Sequence, residues 1–292
     1  MSHPSSTPIA RRALTRFALA AVCAAPLAAG AIVAPAAHAA PTALSNLFHP
    51  SCKAQYYVTT PVMQDGCVTR IQEILRLKVD ATLPVTGAYD AKTEAVIKKW
   101  KPTVGLSDSG LIGPQTKLKL EFATGTMRHR LLTYAFKAYN QEALGDSAKG
   151  QWNGGKIKYA SDGNTMGAGH GTRPGPSTMG LAPDPNYGYL DCSGFSRWVH
   201  SLAFGYSNRT NPHGNWSTAG IRVNAPRISD LKPGDMIVWR NRYNSAGHVA
   251  IYAGDSKIVH SINGSLNGVS FTTMTDVDNF YAGGTKTYHR FA

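Results

Sequence analysis

The order of apolar periodicities along the chain predicts an α+β fold, with helices first and an antiparallel sheet later. Between residues 67 and 139, apolar side chains recur at three- and four-residue spacing, as buried helix faces require. Short apolar runs at 236–239, 248–252 and 257–262 then read as strands, with a weaker one at 286–291. Between these regions lies 145–188, rich in Gly, Pro, Ser and Asn, where a compact domain would place a functional or disordered loop.

Residues 1–39 read as a signal peptide. Arg11, Arg12 and Arg16 precede an Ala/Leu/Val run from Phe17 to Val33, and Ala37-His38-Ala39 supplies small residues at the cleavage site. The alanine-rich composition and this cleavage site favour a removed leader over a membrane anchor. Export follows, with no stable membrane insertion afterwards. The formal charge of +13 falls to +10 with the loss of three arginines, so the exported protein is drawn to polyanions. Nucleic acid is not an expected partner for an exported chain without a run of five Lys/Arg.

Residues 40–51 form a loose lead-in. In 52–122, Val68, Ile71, Ile74 and Leu75 share one helical face, and Val96, Ile97 and Trp100 another. Asp90 can cap the second helix. "VTGAYDAKT" and "GLIGPQT" are two versions of one pattern, a glycine turn entering a helix. That pair resembles the small three-helix peptidoglycan-binding domain of many wall hydrolases, so residues 52–122 are expected to hold peptidoglycan. Residues 123–128 serve as a linker, and an amphipathic helix carrying Leu131, Leu132, Ala135, Phe136 and Tyr139 opens a second domain at 129–292.

Three cysteines survive cleavage, and in an oxidising compartment one is left over. Cys52 and Cys67 lie 15 residues apart, and pairing them closes a loop worth roughly 3 kcal/mol. The excluded thiol is Cys192. Phe195, Trp198, Val199 and Leu202 mark a buried helical face that begins near Asp191, a good N-cap. Cys192 then falls in the first turn, where free N–H groups and the helix dipole favour a thiolate. Ser193 and Gly194 leave room for a substrate.

A thiol needs a base. His248 opens the strand "HVAIYAG" beside Gly247, and His260 lies in the next, "KIVHSI". A two-residue loop at Asp255-Ser256 would put the two histidines on opposite faces. A three- or five-residue loop puts them on one face, with Val249, Ile251 and Val259 on the other. The second arrangement gives an apolar core face, and His260 can then orient His248.

In this order, "DCSGFSRWVH", "LKPGDMIVW", "GHVAIYAG" and "KIVHS" resemble the NlpC-type, papain-like cell-wall cysteine peptidases, over about residues 130 to 292. The resemblance implies a papain-like core with Cys192 as nucleophile, His248 as base and His260 as the third polar residue. It implies cleavage of peptidoglycan stem peptides, commonly next to D-glutamate. By analogy Tyr159 approaches the cysteine, and "GAGHGTRPGPS" at 167–177 is the glycine-rich loop that leads to its helix. His170 in that loop lines the cleft. Ser193 borders the substrate, and Asp191 either caps the helix only or also meets a substrate amine. His200 is read as structural, and Asp235 as the brace of a turn. No H-E-x-x-H, His-x-His or Cys/His knuckle occurs, so neither a metal nor another cofactor is expected.

The expected protein is a secreted, monomeric peptidoglycan endopeptidase. The alternatives are an N-acetylmuramoyl-L-alanine amidase using the same thiol and a catalytically silent wall-binding protein.

Overall fold

The computed structural model describes residues 41–59, 64–142, 190–205, 225–243, 247–263 and 268–291. The leader, Tyr159, His170 and the 145–188 stretch lie outside the described residues.

Three helices build the first region: α1 (Gly66–Lys78), α2 (Ala91–Trp100) and α3 (Pro114–Ala123). Asp65 caps α1 by accepting from the Cys67 amide, and Asp90 caps α2 by accepting from Thr93. α3 starts differently, on Gly113 with Pro114 at its first position and no side-chain cap. The periodic residues of both faces meet in one core with Leu47, Leu83 and Ile112. Cys52 and Cys67 are joined by a disulfide. Buried Gln72 holds the turn into α2: its carbonyl accepts from the Thr86 and Gly87 amides at 2.9 and 2.8 Å. Gly87 needs no side chain there, because its φ is +73°.

Residues 41–51 are not the loose lead-in that composition suggests. Asn46, Leu47 and Phe48 are buried, and each serves a different neighbour. Leu47 enters the helical core, while Phe48 enters the core of the second region. Asn46 donates to Thr133 Oγ1 at 2.9 Å, and the Leu47 amide donates to Glu121 at 2.8 Å. Glu121, with no exposed side-chain area, also receives Arg70 through Nε at 3.3 Å and Nη2 at 2.9 Å. The described residues accordingly fall in one compact unit.

The second region combines α4 (Met127–Tyr139) and α5 (Cys192–Phe204) with strands β1 (Arg227–Ile228), β2 (Met236–Arg240), β3 (Gly247–Gly254), β4 (Lys257–Ile262), β5 (Gly268–Thr273) and β6 (Thr285–His289). A short helix α6 (Met274–Phe280) follows β5. The sheet order is β1-β6-β2-β3-β4-β5, antiparallel throughout, so the fold is α+β.

Alternation sorts the strand residues onto two faces. Met236, Val238, Val249, Ile251 and Val259 face one way and pack in the clusters that hold α4 and α5. Ile237, Trp239, Ala250 and Ile258 face the other way and pack with Val277 of α6. Asp235 braces the turn before β2: it accepts from the Lys232 amide and takes both Nε and Nη2 of Arg290.

The β3–β4 hairpin puts both histidines on the α6 face, by an unforeseen route. Its loop is the two-residue Asp255-Ser256 turn, with φ of +48° and +56°. Such a loop alone separates the two side chains. A bulge between Tyr252 and Gly254 inserts one residue and resets the register to Ile251 opposite Val259. Extending that register sets His260 opposite Ala250, two residues from His248.

Candidate active site

Asp191 stands outside α5 in extended conformation. Its carboxylate accepts from the Gly194 amide at 2.6 Å and from Ser193 Oγ at 2.9 Å. Its capping role is therefore visible, and Ser193 is turned to it. Cys192 is the first residue of the helix and is 7% exposed, against Ala225, Met236, Val238, Val249 and Phe291. Among the described residues it is the free cysteine.

The helix start does not lower the thiol pKa in this setting. Burial pushes it up to about 12, and the neighbouring Asp191 charge adds to the rise. Hydrogen bonds from the Val249, Ser193 and Cys192 amides pull the other way and are outweighed. The helix-dipole expectation fails because stripping water from a thiolate costs more than a helix terminus returns.

His248 Nε2 and His260 Nδ1 lie 2.6 Å apart, and His260 Nε2 lies 3.0 Å from Thr272 Oγ1. The rings meet edge to face, with centroids 4.9 Å apart. With Nε2 engaged, His248 keeps Nδ1 for a thiol proton. Burial drives the His248 pKa well below its usual value, helped by His260. Burial likewise lowers His260 to about 4, against a small opposing pull from Asp276. The resting pair at neutral pH is thus thiol and neutral imidazole.

Cys192, His248, His260, Thr272 and Asp276 line one cavity of about 590 Å³. Phe280, 82% exposed, and Tyr281 form its aromatic wall. Tyr281 stacks on His248 at 6.3 Å and 22°, and Trp239 borders the same ring at 5.9 Å. Trp239 is itself held by Asp278, which accepts from Nε1 at 2.7 Å and pairs with Lys286.

Cys192, His248 and His260 are therefore brought together, while Tyr159 and His170 lie outside the described residues. Sequence reasoning does not single out Thr272, Trp239 or Tyr281. Trp239 sits opposite His248 across β2–β3, which strand parity alone could have found. Thr272 requires β5, whose opening glycine and single pair of alternating apolar residues, Val269 and Phe271, hide the strand. Other histidines serve packing: His129 meets Thr124 and Arg70, His289 meets Thr287 and the Ala225 carbonyl, and His200 stacks on Phe204. Among the described residues no group of three His, Cys, Asp or Glu is placed to hold a metal. Nor is any described helix long and apolar enough to cross a membrane.

The buried histidines predict acid sensitivity. His49, His248 and His260 are lowered chiefly by burial, and so is His129, to about 4. Above about pH 6.5 both folded and unfolded chains leave them neutral. Below it the unfolded chain takes protons that the folded chain refuses, so stability falls between about pH 6.5 and 4. Each pKa unit of separation is worth about 1.4 kcal/mol per group. The urea midpoint should drop clearly from pH 7 to pH 5; an unchanged midpoint contradicts the assignment.

The segment that holds these residues is similar to known proteins. The NlpC/P60 family matches residues 175–284, which include Cys192, His248 and His260. A probable endopeptidase of Mycobacterium tuberculosis is 35% identical over 85 residues, 28% of this chain and 18% of that protein. A probable endopeptidase of Corynebacterium glutamicum is 34% identical over 77 residues, 26% of this chain and 32% of that protein. The matched segment thus spans less than a third of either relative. Among solved structures, the P60 domain of an antigen from M. avium subspecies paratuberculosis aligns with 56% of this chain and 97% of its own, at 17% identity and a TM-score of 0.34. The peptidoglycan hydrolase RipB of M. tuberculosis aligns with 86% of this chain and 95% of its own, at 15% identity and a TM-score of 0.34. The cysteine helix and the histidine hairpin both fall inside the segment that matches the NlpC/P60 family.

Proposed function

We propose that the protein is an exported cysteine peptidase that cuts stem-peptide bonds of peptidoglycan, of the D-glutamyl endopeptidase type. The observation that carries this reading is the 2.6 Å His248–His260 pair in one cavity with Cys192 at the capped start of α5. The endopeptidase names of the relatives support the reaction class.

The raised thiol pKa and lowered imidazole pKa values favour proton transfer concerted with attack over a resting ion pair. His248 Nδ1 takes the thiol proton as Sγ attacks the scissile carbonyl. The Cys192 amide at the helix start stabilises the oxyanion, with Tyr159 as the expected second donor. His248 then returns the proton to the leaving amine, and water releases the acyl group. His260 holds the ring in place throughout. Residues 52–122 act as the anchor on the wall polymer, raising the local concentration of an immobile substrate. The protein works as a monomer, without a metal, cofactor or nucleic acid.

Digestion of purified peptidoglycan followed by mass analysis tests the reading. Fragments cut within the stem, next to D-glutamate, are expected. Intact stems free of sugar would establish the amidase reaction instead, and no soluble fragment at all would leave a silent wall-binding protein.

A further inference from the structure

We propose that Thr272 is a positioning residue that sets the tautomers of the histidine pair, so that His248 turns an unprotonated nitrogen to Cys192. This rests on reading Cys192 and His248 as nucleophile and base.

The two short contacts form a chain: His248 Nε2 to His260 Nδ1 at 2.6 Å, and His260 Nε2 to Thr272 Oγ1 at 3.0 Å. Both imidazoles are neutral near pH 7, so each carries one N–H. Two arrangements satisfy the chain. In the first, His248 Nε2–H donates to His260 Nδ1, and His260 Nε2–H donates to Thr272 Oγ1. His248 Nδ1 then keeps its lone pair and can accept the thiol proton. In the second, the Thr272 hydroxyl donates to His260 Nε2, and His260 Nδ1–H donates to His248 Nε2. The remaining hydrogen then sits on His248 Nδ1, where it blocks the proton transfer. The order of the whole chain is therefore decided at its far end, by whether Thr272 accepts or donates.

The surroundings of Thr272 favour acceptance. Its side chain lines the cavity, so its own hydrogen can turn to solvent or substrate, leaving lone pairs for His260. Asp276, the carboxylate that acts on His260, is itself engaged by the Thr273 amide at 3.0 Å and Thr273 Oγ1 at 2.6 Å. A neutral oxygen at position 272 thus orders the pair without charging it. Without that oxygen the first arrangement leaves a buried His260 Nε2–H with no acceptor, whereas the second leaves only a bare lone pair, so the second gains ground.

The test compares full-length wild type, Thr272→Val and Thr272→Ser, each with ¹⁵N-labelled histidine. It reads the imidazole ¹⁵N shifts, which report the tautomer, and the rate of Cys192 alkylation by iodoacetamide at pH 7.5. In wild type and Thr272→Ser, His260 should carry its hydrogen on Nε2. In Thr272→Val it should move toward Nδ1, with alkylation about tenfold slower, the order of one neutral hydrogen bond. Thr272→Ala replaces the valine variant if that one does not fold. Wild-type tautomers and rate in the oxygen-free variant, or no recovery in Thr272→Ser, overturn the proposal. Neither readout uses peptidoglycan, so a wild type that fails to cut the wall would sink the proposed function and still leave Thr272 decided.

Discussion

Cys192→Ala should reduce release of stem-peptide fragments from purified peptidoglycan by about 10⁴-fold or more, the scale of removing a covalent nucleophile. The effect is this large because alanine leaves the cavity shared with His248 and His260 without a group to attack the carbonyl covalently. The replacement is also mild structurally. The thiol sits in a small apolar cluster, and alanine keeps the first turn of α5 and leaves the Asp191 cap in place. Sedimentation with the wall should be retained, because it is ascribed to residues 52–122. Fragment release by Cys192→Ala at the wild-type rate would end the mechanism, whatever the family.

The second large effect concerns stability at the junction of the two regions. Arg70→Met should cost about 3–5 kcal/mol, the usual consequence of leaving a buried charge without its partner. Glu121 has no exposed side-chain area, and its remaining donor is the Leu47 amide. Burial already holds its carboxyl pKa above the ordinary value even against the pull of Arg70. Without Arg70 it rises further, and ionisation in the folded state becomes costlier as pH increases. The raised pKa means the deficit is smallest near pH 5 and grows toward pH 8. Urea melts at both pH values measure this. Arg70→Met combined with Glu121→Gln should recover much of the loss, because the amide oxygen still accepts from Leu47. A deficit independent of pH would show that Arg70 acts through packing alone.

Much of this site is legible in the sequence because it is local. The start of α5, its Asp191 cap and the position of Cys192 follow from one stretch of helical periodicity. The odd cysteine count leaves Cys192 over once Cys52 and Cys67 are paired. What stays illegible is either long-range or carried by burial. Asn46, Leu47 and Phe48 look like a polar-flanked tail until α4 and Glu121 are present to satisfy them. The thiol's raised pKa depends on side chains from β2, β3 and the C-terminus that no neighbouring sequence reveals. Thr272 is hidden with its strand, since a six-residue run opening on glycine carries too little periodicity to declare itself.

The bulge in the β3–β4 hairpin makes the site depend on chain length more than on any one side chain near it. Ala253 contributes no chemistry, and its replacement by another small residue leaves the pairing intact. Deleting it would also spare the site: Gly254 would still face Lys257 and Tyr252 would still face Ile258, so the ladder would run on uninterrupted with His248 and His260 on one face. Losing a residue between His248 and Tyr252 is another matter, because with the bulge kept it moves His248 by one place against β4 and turns it to the opposite side of the sheet. Substitution scanning is blind to this dependence, because each variant it makes preserves the count.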